Sequence, residues 1–199
     1  MPEKPVAGKS LRLTFVLAAW AALGASAPPL SFTPIEPRFA DSADAYRALW
    51  DAEGARITAA LEATAGVEFP AAPIEVLLRD GAPMTAYDGR TIRMRAGYRP
   101  GVWRATFVHE LGHRLALTLS RTPDLDDHRL LYLFFYDTLT DLYGQEFADR
   151  VVRMERGIPG AYNYDAAWTW ALAMTREERQ ARLSTLRPQL SYQASALRR

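Results

Sequence analysis

Residues 104–117, "RATFVHELGHRLAL", carry two of the three histidines in a chain of 199 residues. His109 and His113 stand four apart, with Glu110 directly after the first. Apolar Phe107, Leu111 and Leu115 recur at helical spacing across the run "VWRATFVHELGHRLALTL", and Pro100-Gly101 breaks the chain just before it. The pattern predicts a helix that ends near Ser120. On a helix, residues four apart share one face, so His109 and His113 can turn their ring nitrogens toward a single ion. An ordinary amphipathic helix could also carry these residues, but it gives no reason for Gly112, which costs about 1 kcal/mol against Ala inside a helix. A close approach by another element would give one.

Upstream of this helix, "IEVLL" (74–78) reads as a buried strand. "TIRMR" (91–95) reads as a strand with one face buried, and "RDGAPMTAYDG" (79–89) as the loop between them. Tyr46, Leu49, Trp50, Ile57, Ala60 and Leu61 mark a long amphipathic helix from Asp41 to Ala65, with Gly66 as its stop. Downstream, Asp124, Asp126 and Asp127 favour a helix start. A strongly apolar helix follows from about Asp127 to Tyr143 and ends at Gly144. Further helices are expected around "EFADRVVRMERG" and "YDAAWTWALAM", ahead of a charged tail from Thr175. The fold class is therefore α+β, with a small N-terminal sheet packed on the histidine-bearing helix and a mainly helical C-terminal half.

At 49% hydrophobic and 24% charged residues, the chain can bury the core of one compact domain, expected over residues 41–199. Residues 1–27 hold Lys4, Lys9 and Arg12, an apolar run from Leu13 to Leu23, and Ala25-Ser26-Ala27 in the A-x-A form of a cleavage site. That layout is expected of a signal peptide or an uncleaved N-terminal anchor, and it places the protein outside the cytoplasm, periplasmic or secreted. Proline-rich residues 28–40 are expected to be a linker. Beyond residue 27 the chain has 21 basic and 22 acidic residues, a balance that offers nothing to nucleic acid. A membrane contact would come only from an uncleaved N-terminus. The absence of cysteine excludes disulfides, a thiol nucleophile and cysteine-ligated zinc.

If the histidines hold zinc, the ion keeps an open position and lowers the pKa of a water there to roughly 7. Glu110 then stands where a general base could take that water's proton as it attacks a carbonyl. A third ligand must come from the helix at 127–143. For an antiparallel pair with the first helix ending near Ser120, the level of Leu111 faces position 135, which favours Asp137. On that count His128 lies on the order of 10 Å too far along the axis. His128, Asp141 and Glu146 remain alternatives, with Asp141 suited to accept from the outer nitrogen of His109.

The segment "HELGH", together with Thr106, Phe107, Leu111 and Leu115, resembles the extended HExxH pattern of zincin metallopeptidases, from which Arg114 departs at a place usually uncharged. Metzincins carry Gly and His where this chain has Ala116 and Leu119, so that branch does not fit. "YDTLTDLYG" (136–144), with Asp137, Asp141 and Gly144, looks like the second half of a gluzincin site with Asp in place of the usual Glu ligand. The aspzincin pattern would put Thr140 at the ligand place, one residue off. The resemblance implies a zincin-like fold, Zn2+ on His109, His113 and Asp137, Glu110 as catalytic base, and a peptide or protein substrate. It also implies a substrate-pairing edge strand, a position that "TIRMR" occupies, and an oxyanion donor that Tyr162 or Tyr164 could supply. Arg93 and Arg95 on that strand fit a solvated strand face, and could alternatively favour acidic side chains in a substrate. The alternative is a non-catalytic envelope binding protein that keeps the metal as a structural staple.

Overall fold

The computed structural model describes residues 27–98, 101–160 and 162–188. The expected signal or anchor segment lies outside them but for Ala27, and among the described residues no helix is long and apolar enough to cross a membrane. The architecture is α+β, with a four-stranded mixed sheet followed by a mostly helical second half.

The sheet is built from β1 (Leu30–Pro34), β2 (Ile74–Arg79), β3 (Met84–Thr85) and β4 (Thr91–Arg95), in the spatial order β1-β2-β4-β3. β1, β2 and β4 run parallel, and β3 returns antiparallel along β4, with Met84 opposite Arg93 and Thr85 opposite Ile92. Residues 28–40 are thus not a linker. Leu30–Pro34 pairs over its whole length with Ile74–Leu78 of β2, and Pro37–Phe39 forms a single 3-10 turn. Parallel strands need a long crossover, which α1 (Ala40–Ala65) supplies between β1 and β2 before stopping at Gly66 in the left-handed conformation (φ 69°).

Alternation along the strands buries Phe32, Ile74, Val76, Leu78, Ile92 and Met94 on one face. Phe107 joins that face to two helices. It lies 6.0 Å from Phe32 on β1 and 5.4 and 5.9 Å from Tyr46 and Trp50 on α1, while its own helix is α2 (Val102–Ala116).

α3 (Asp127–Tyr143) is the hub of the second half, packing against α1, α2, α4 (Gln145–Arg156), α5 (Tyr164–Leu172) and α6 (Arg176–Leu186). Its six consecutive residues Leu130 to Phe135 are all buried, as expected of a helix enclosed on every side. Asp126 caps α3 by accepting from the Arg129 backbone N–H, and Thr175 with Glu178 forms a capping box at the start of α6.

Candidate metal centre

α2 turns His109 and His113 onto one face, with their Nε2 atoms 3.0 Å apart. The third histidine comes from the first turn of α3. His128 brings a ring nitrogen into the same group, whose three ligand atoms all lie within 4.8 Å of one another. The His128 ring sits 4.8 Å from that of His113 and 5.4 Å from that of His109. Two imidazole nitrogens bound at 2.0–2.1 Å to a tetrahedral ion stand about 3.3 Å apart, so the pair on α2 fits a small divalent cation with an adjustment of a few tenths of an ångström, and the nitrogens of the trio, within 4.8 Å of one another, can close on it by a movement of His128 of about 1.5 Å at most. Three imidazoles suit zinc, copper, iron or nickel, and the donor set alone does not choose among them.

Gly112 explains why α3 can come so close. A Cβ there would lie 2.5 Å from Leu131 Cδ1, so the contact across the two helices is made against bare backbone. Leu131, and not residue 135, therefore stands at the level midway between the two histidines. α2 ends at Ala116, about one turn earlier than its apolar pattern suggests, and shortening the first arm moves the facing position one turn back along α3. That shift brings His128 to the histidine pair.

Asp137 is placed elsewhere. It lies 200° around the helix from Phe135, which faces His109. Its carboxylate accepts two bonds from Arg179 of α6, at 2.7 and 3.1 Å, with both residues buried. Arg179 also donates to the carbonyl oxygens of Met174 and Ala171, so the pair locks α6 to α3 and the end of α5. Asp141 is at the surface, in a two-bond pair with Arg176, and Glu146 pairs with Arg150.

The acceptor for the outer nitrogen of His109 is Glu155 on α4. One carboxylate oxygen meets His109 Nδ1 at 3.0 Å, and the other accepts from Tyr132 Oη at 2.7 Å and Trp168 Nε1 at 2.9 Å. The Tyr132 and Trp168 rings stack with centroids 3.7 Å apart, fixing both donors. This bond holds the proton on Nδ1 and leaves the Nε2 lone pair aimed at the centre. Burial alone would raise the Glu155 carboxyl, but His109 and the three bonds hold it below its usual range. In return, although burial pushes His109 down, Glu155 keeps it above the ordinary imidazole value. His113 lies well below that value through burial and the neighbouring imidazoles, and His128 is pushed down to about 4 by burial and by His109. Glu155 had a sequence signal: with Ala148, Val151 and Val152 it makes the i, i+3, i+4, i+7 buried stripe of α4, where a carboxylate has no place without a partner.

Glu110 is buried beside the trio, and burial raises its carboxyl above the usual range. The Thr85 hydroxyl lies 2.8 Å from Glu110 Oε2 and 2.8 Å from its backbone carbonyl. Thr85 belongs to β3, so the strand at the sheet edge beside α2 is β3 and not "TIRMR", which is β4 and is paired on both sides. A strand of two residues inside a loop of turn-forming composition carries almost no periodic signal. Glu110 and all three histidines line a cavity of about 530 Å³.

Tyr162 and Tyr164 both pack on His128, at 4.4 and 4.8 Å between ring centroids. The Tyr162 hydroxyl donates to Asp126, whereas Tyr164 lines the cavity. Arg114, the departure from the expected pattern, is buried away from the histidines. Its guanidinium donates to the carbonyl oxygens of Gly89 and Ala72, tying α2 to two loops of the sheet. Comparison with family models, with curated proteins and with solved structures gave no match to this chain.

Proposed function

We propose that the protein is an exported, metal-dependent peptidase, with His109, His113 and His128 as ligands, zinc as the metal, and Glu110 as general base. One observation carries this reading: a buried carboxylate stands directly beside three converging imidazoles, at the wall of a cavity large enough for a peptide segment. A structural staple has no use for such a carboxylate.

His109, His113 and His128 would hold zinc as neutral imidazoles, and the bound ion would supply a water acidified to near neutral pH. The chain's own residues do the rest. Glu110 takes the proton as the water oxygen bonds to the peptide carbonyl carbon, and gives it to the amide nitrogen as the C–N bond breaks. Thr85, within hydrogen-bond reach of Glu110 Oε2, holds the carboxylate in place from the sheet edge. Glu155 keeps His109 in the tautomer that can bind a metal. Tyr164, which lines the cavity and packs on His128, brings a hydroxyl that can donate to the carbonyl oxygen as it becomes anionic.

The test is hydrolysis of a generic protein substrate by zinc-loaded protein. The expected result is an activity abolished by a chelator, restored by zinc, and lost in Glu110→Gln while that variant still binds one metal per chain. Metal binding by the parent without hydrolysis of any substrate would instead favour the binding-protein alternative, and no metal binding at all would remove both.

A further inference from the structure

We infer that the cleft selects peptides that present a carboxylate, taken up by Arg95, among bulky apolar side chains. This rests on the reading of the cleft as a peptide-cleaving site.

The charges that line the cavity are nearly all committed. Glu155 holds His109, Tyr132 and Trp168, Glu110 faces Thr85, and Arg121 pairs with Asp127. Arg95 is the exception: it lines the cavity, yet it makes no ion pair with any carboxylate among the described residues. Its guanidinium lies over the ring of Tyr98, 5.8 Å from the centroid, and Tyr98 lines the same wall. Contact with Tyr98 keeps the guanidinium at this wall, and its planar fork of donors matches a carboxylate with two parallel bonds. Arg93 sits one pleat earlier on the same face of β4, is exposed and does not line the cavity, so it shows what a merely solvated strand arginine looks like here.

The mouth around this cation is apolar. Of the five large hydrophobic residues exposed among the described residues, Met84, Tyr87, Leu117 and Ile158 all line this cavity, and Tyr87 is 86% exposed. A concentration of exposed apolar side chains at one opening marks a binding surface. Beside it, the field of a single unpaired cation is less screened than over open water. The occupant that satisfies both is an extended peptide with apolar side chains for the mouth and one carboxylate for Arg95. That carboxylate can come from a Glu or Asp side chain or from the end of the substrate chain.

Three short peptides distinguish the sources: a Leu- and Phe-rich sequence containing one Glu, capped at both ends; the same sequence with Gln; and the Gln sequence with a free C-terminal carboxylate. Cleavage is followed as kcat/KM with the zinc-loaded full chain, and binding by fluorescence anisotropy with zinc-loaded Glu110→Gln. A carboxylate-bearing peptide should be favoured over the capped Gln peptide by about fivefold to tenfold at low salt, less at high salt. Arg95→Gln should erase the preference, and Arg93→Gln should leave it intact. Whether the Glu peptide or the free-acid peptide is favoured identifies the source. Equal handling of all three peptides, or a preference that survives Arg95→Gln, would overturn the assignment. If no peptide is cleaved but the binding preference is present and depends on Arg95, carboxylate recognition stands and the peptidase reading falls.

Discussion

Asp137 and His128 can be separated by two substitutions that should fail in opposite ways. Asp137→Ala removes one partner of a pair in which Asp137 is 3% and Arg179 4% exposed, leaving a guanidinium buried without its carboxylate. Breaking a buried pair from one side costs about 3–5 kcal/mol. The lower half of that range applies here, because Arg179 keeps its bond to Met174 O at 2.6 Å. For a domain of this size each kcal/mol moves the melting temperature by roughly 2–4 °C, so the metal-free variant should melt roughly 6–16 °C below the parent. Its histidines are untouched, and it should still bind one metal per chain at a temperature where it is folded. His128→Ala should do the reverse. Its metal-free melting temperature should stay within the shift of about 1 kcal/mol typical of a partly exposed side chain, while its metal affinity falls by more than the roughly 10–100-fold lost when only a supporting partner of a ligand is removed. The assay pairs thermal unfolding in chelator with metal content after reconstitution and desalting. Asp137→Leu combined with Arg179→Met, which removes both charges, should recover most of the lost stability. An Asp137→Ala protein that melts like the parent in chelator but holds no metal would refute this account and return Asp137 to the ligand set.

Glu155→Gln should weaken metal binding by about 10–100-fold, because it exchanges the carboxylate on His109 Nδ1 for an amide; competition with a chromophoric chelator measures this. Gly112→Ala gains about 1 kcal/mol of helix propensity but drives a methyl group against Leu131, an overpacking that costs about 1–3 kcal/mol. The variant should therefore be no more stable than the parent and should bind metal more weakly, since α3 and His128 must retreat together. In the metal-free protein, His128 is depressed from the ordinary value to about 4, so between pH 6.5 and 4 the unfolded chain binds a proton that the folded chain does not. Stability should fall as pH drops through that window, and the fall should be shallower in His128→Ala; urea midpoints at several pH values test it.

What could be read in the sequence and what could not divide along physical lines. α2, α3 and the strands β2 and β4 announce themselves through periodic burial, and Gly112 announces a close contact through its poor fit to a helix. Gly112 did not reveal its partner, which depends on where α2 ends. Leu117, Thr118 and Leu119 continue an apolar pattern that looks helical, yet the chain leaves the helix after Ala116, and Leu119 is buried from the loop instead. That single turn decides between Asp137 and His128. β1 was hidden because only Phe32 of its five residues is buried and prolines stand on both sides of its core. Glu155 shows in the sequence as a carboxylate on a buried stripe, but its partner was hidden by distance: it is 46 residues from His109, and only the folding of α4 and α5 around α3 brings the two together.

The trio is set apart from a packing accident by what it costs the fold. Two imidazoles are held far below their ordinary basicity by burial, and two ring nitrogens face each other at 3.0 Å across a gap where only one of them can hold a proton. Glu110 is buried with a threonine hydroxyl as its neutral partner. Apolar residues at these four positions would spare the chain the desolvation of every one of these groups. Several other buried polar groups are matched pair by pair. Thr64 and Thr138 satisfy each other at 2.6 Å, Asp137 is matched by Arg179, and Glu155 takes three bonds. These pairs are matched within the fold, whereas the imidazoles at the cavity wall hold a strain that a ligand can relieve. A cation among the three lone pairs relieves the imidazoles. It leaves Glu110, whose burial is answered by the Thr85 hydroxyl alone and whose carboxyl is raised toward holding a proton, where the proposed hydrolysis needs a proton carrier.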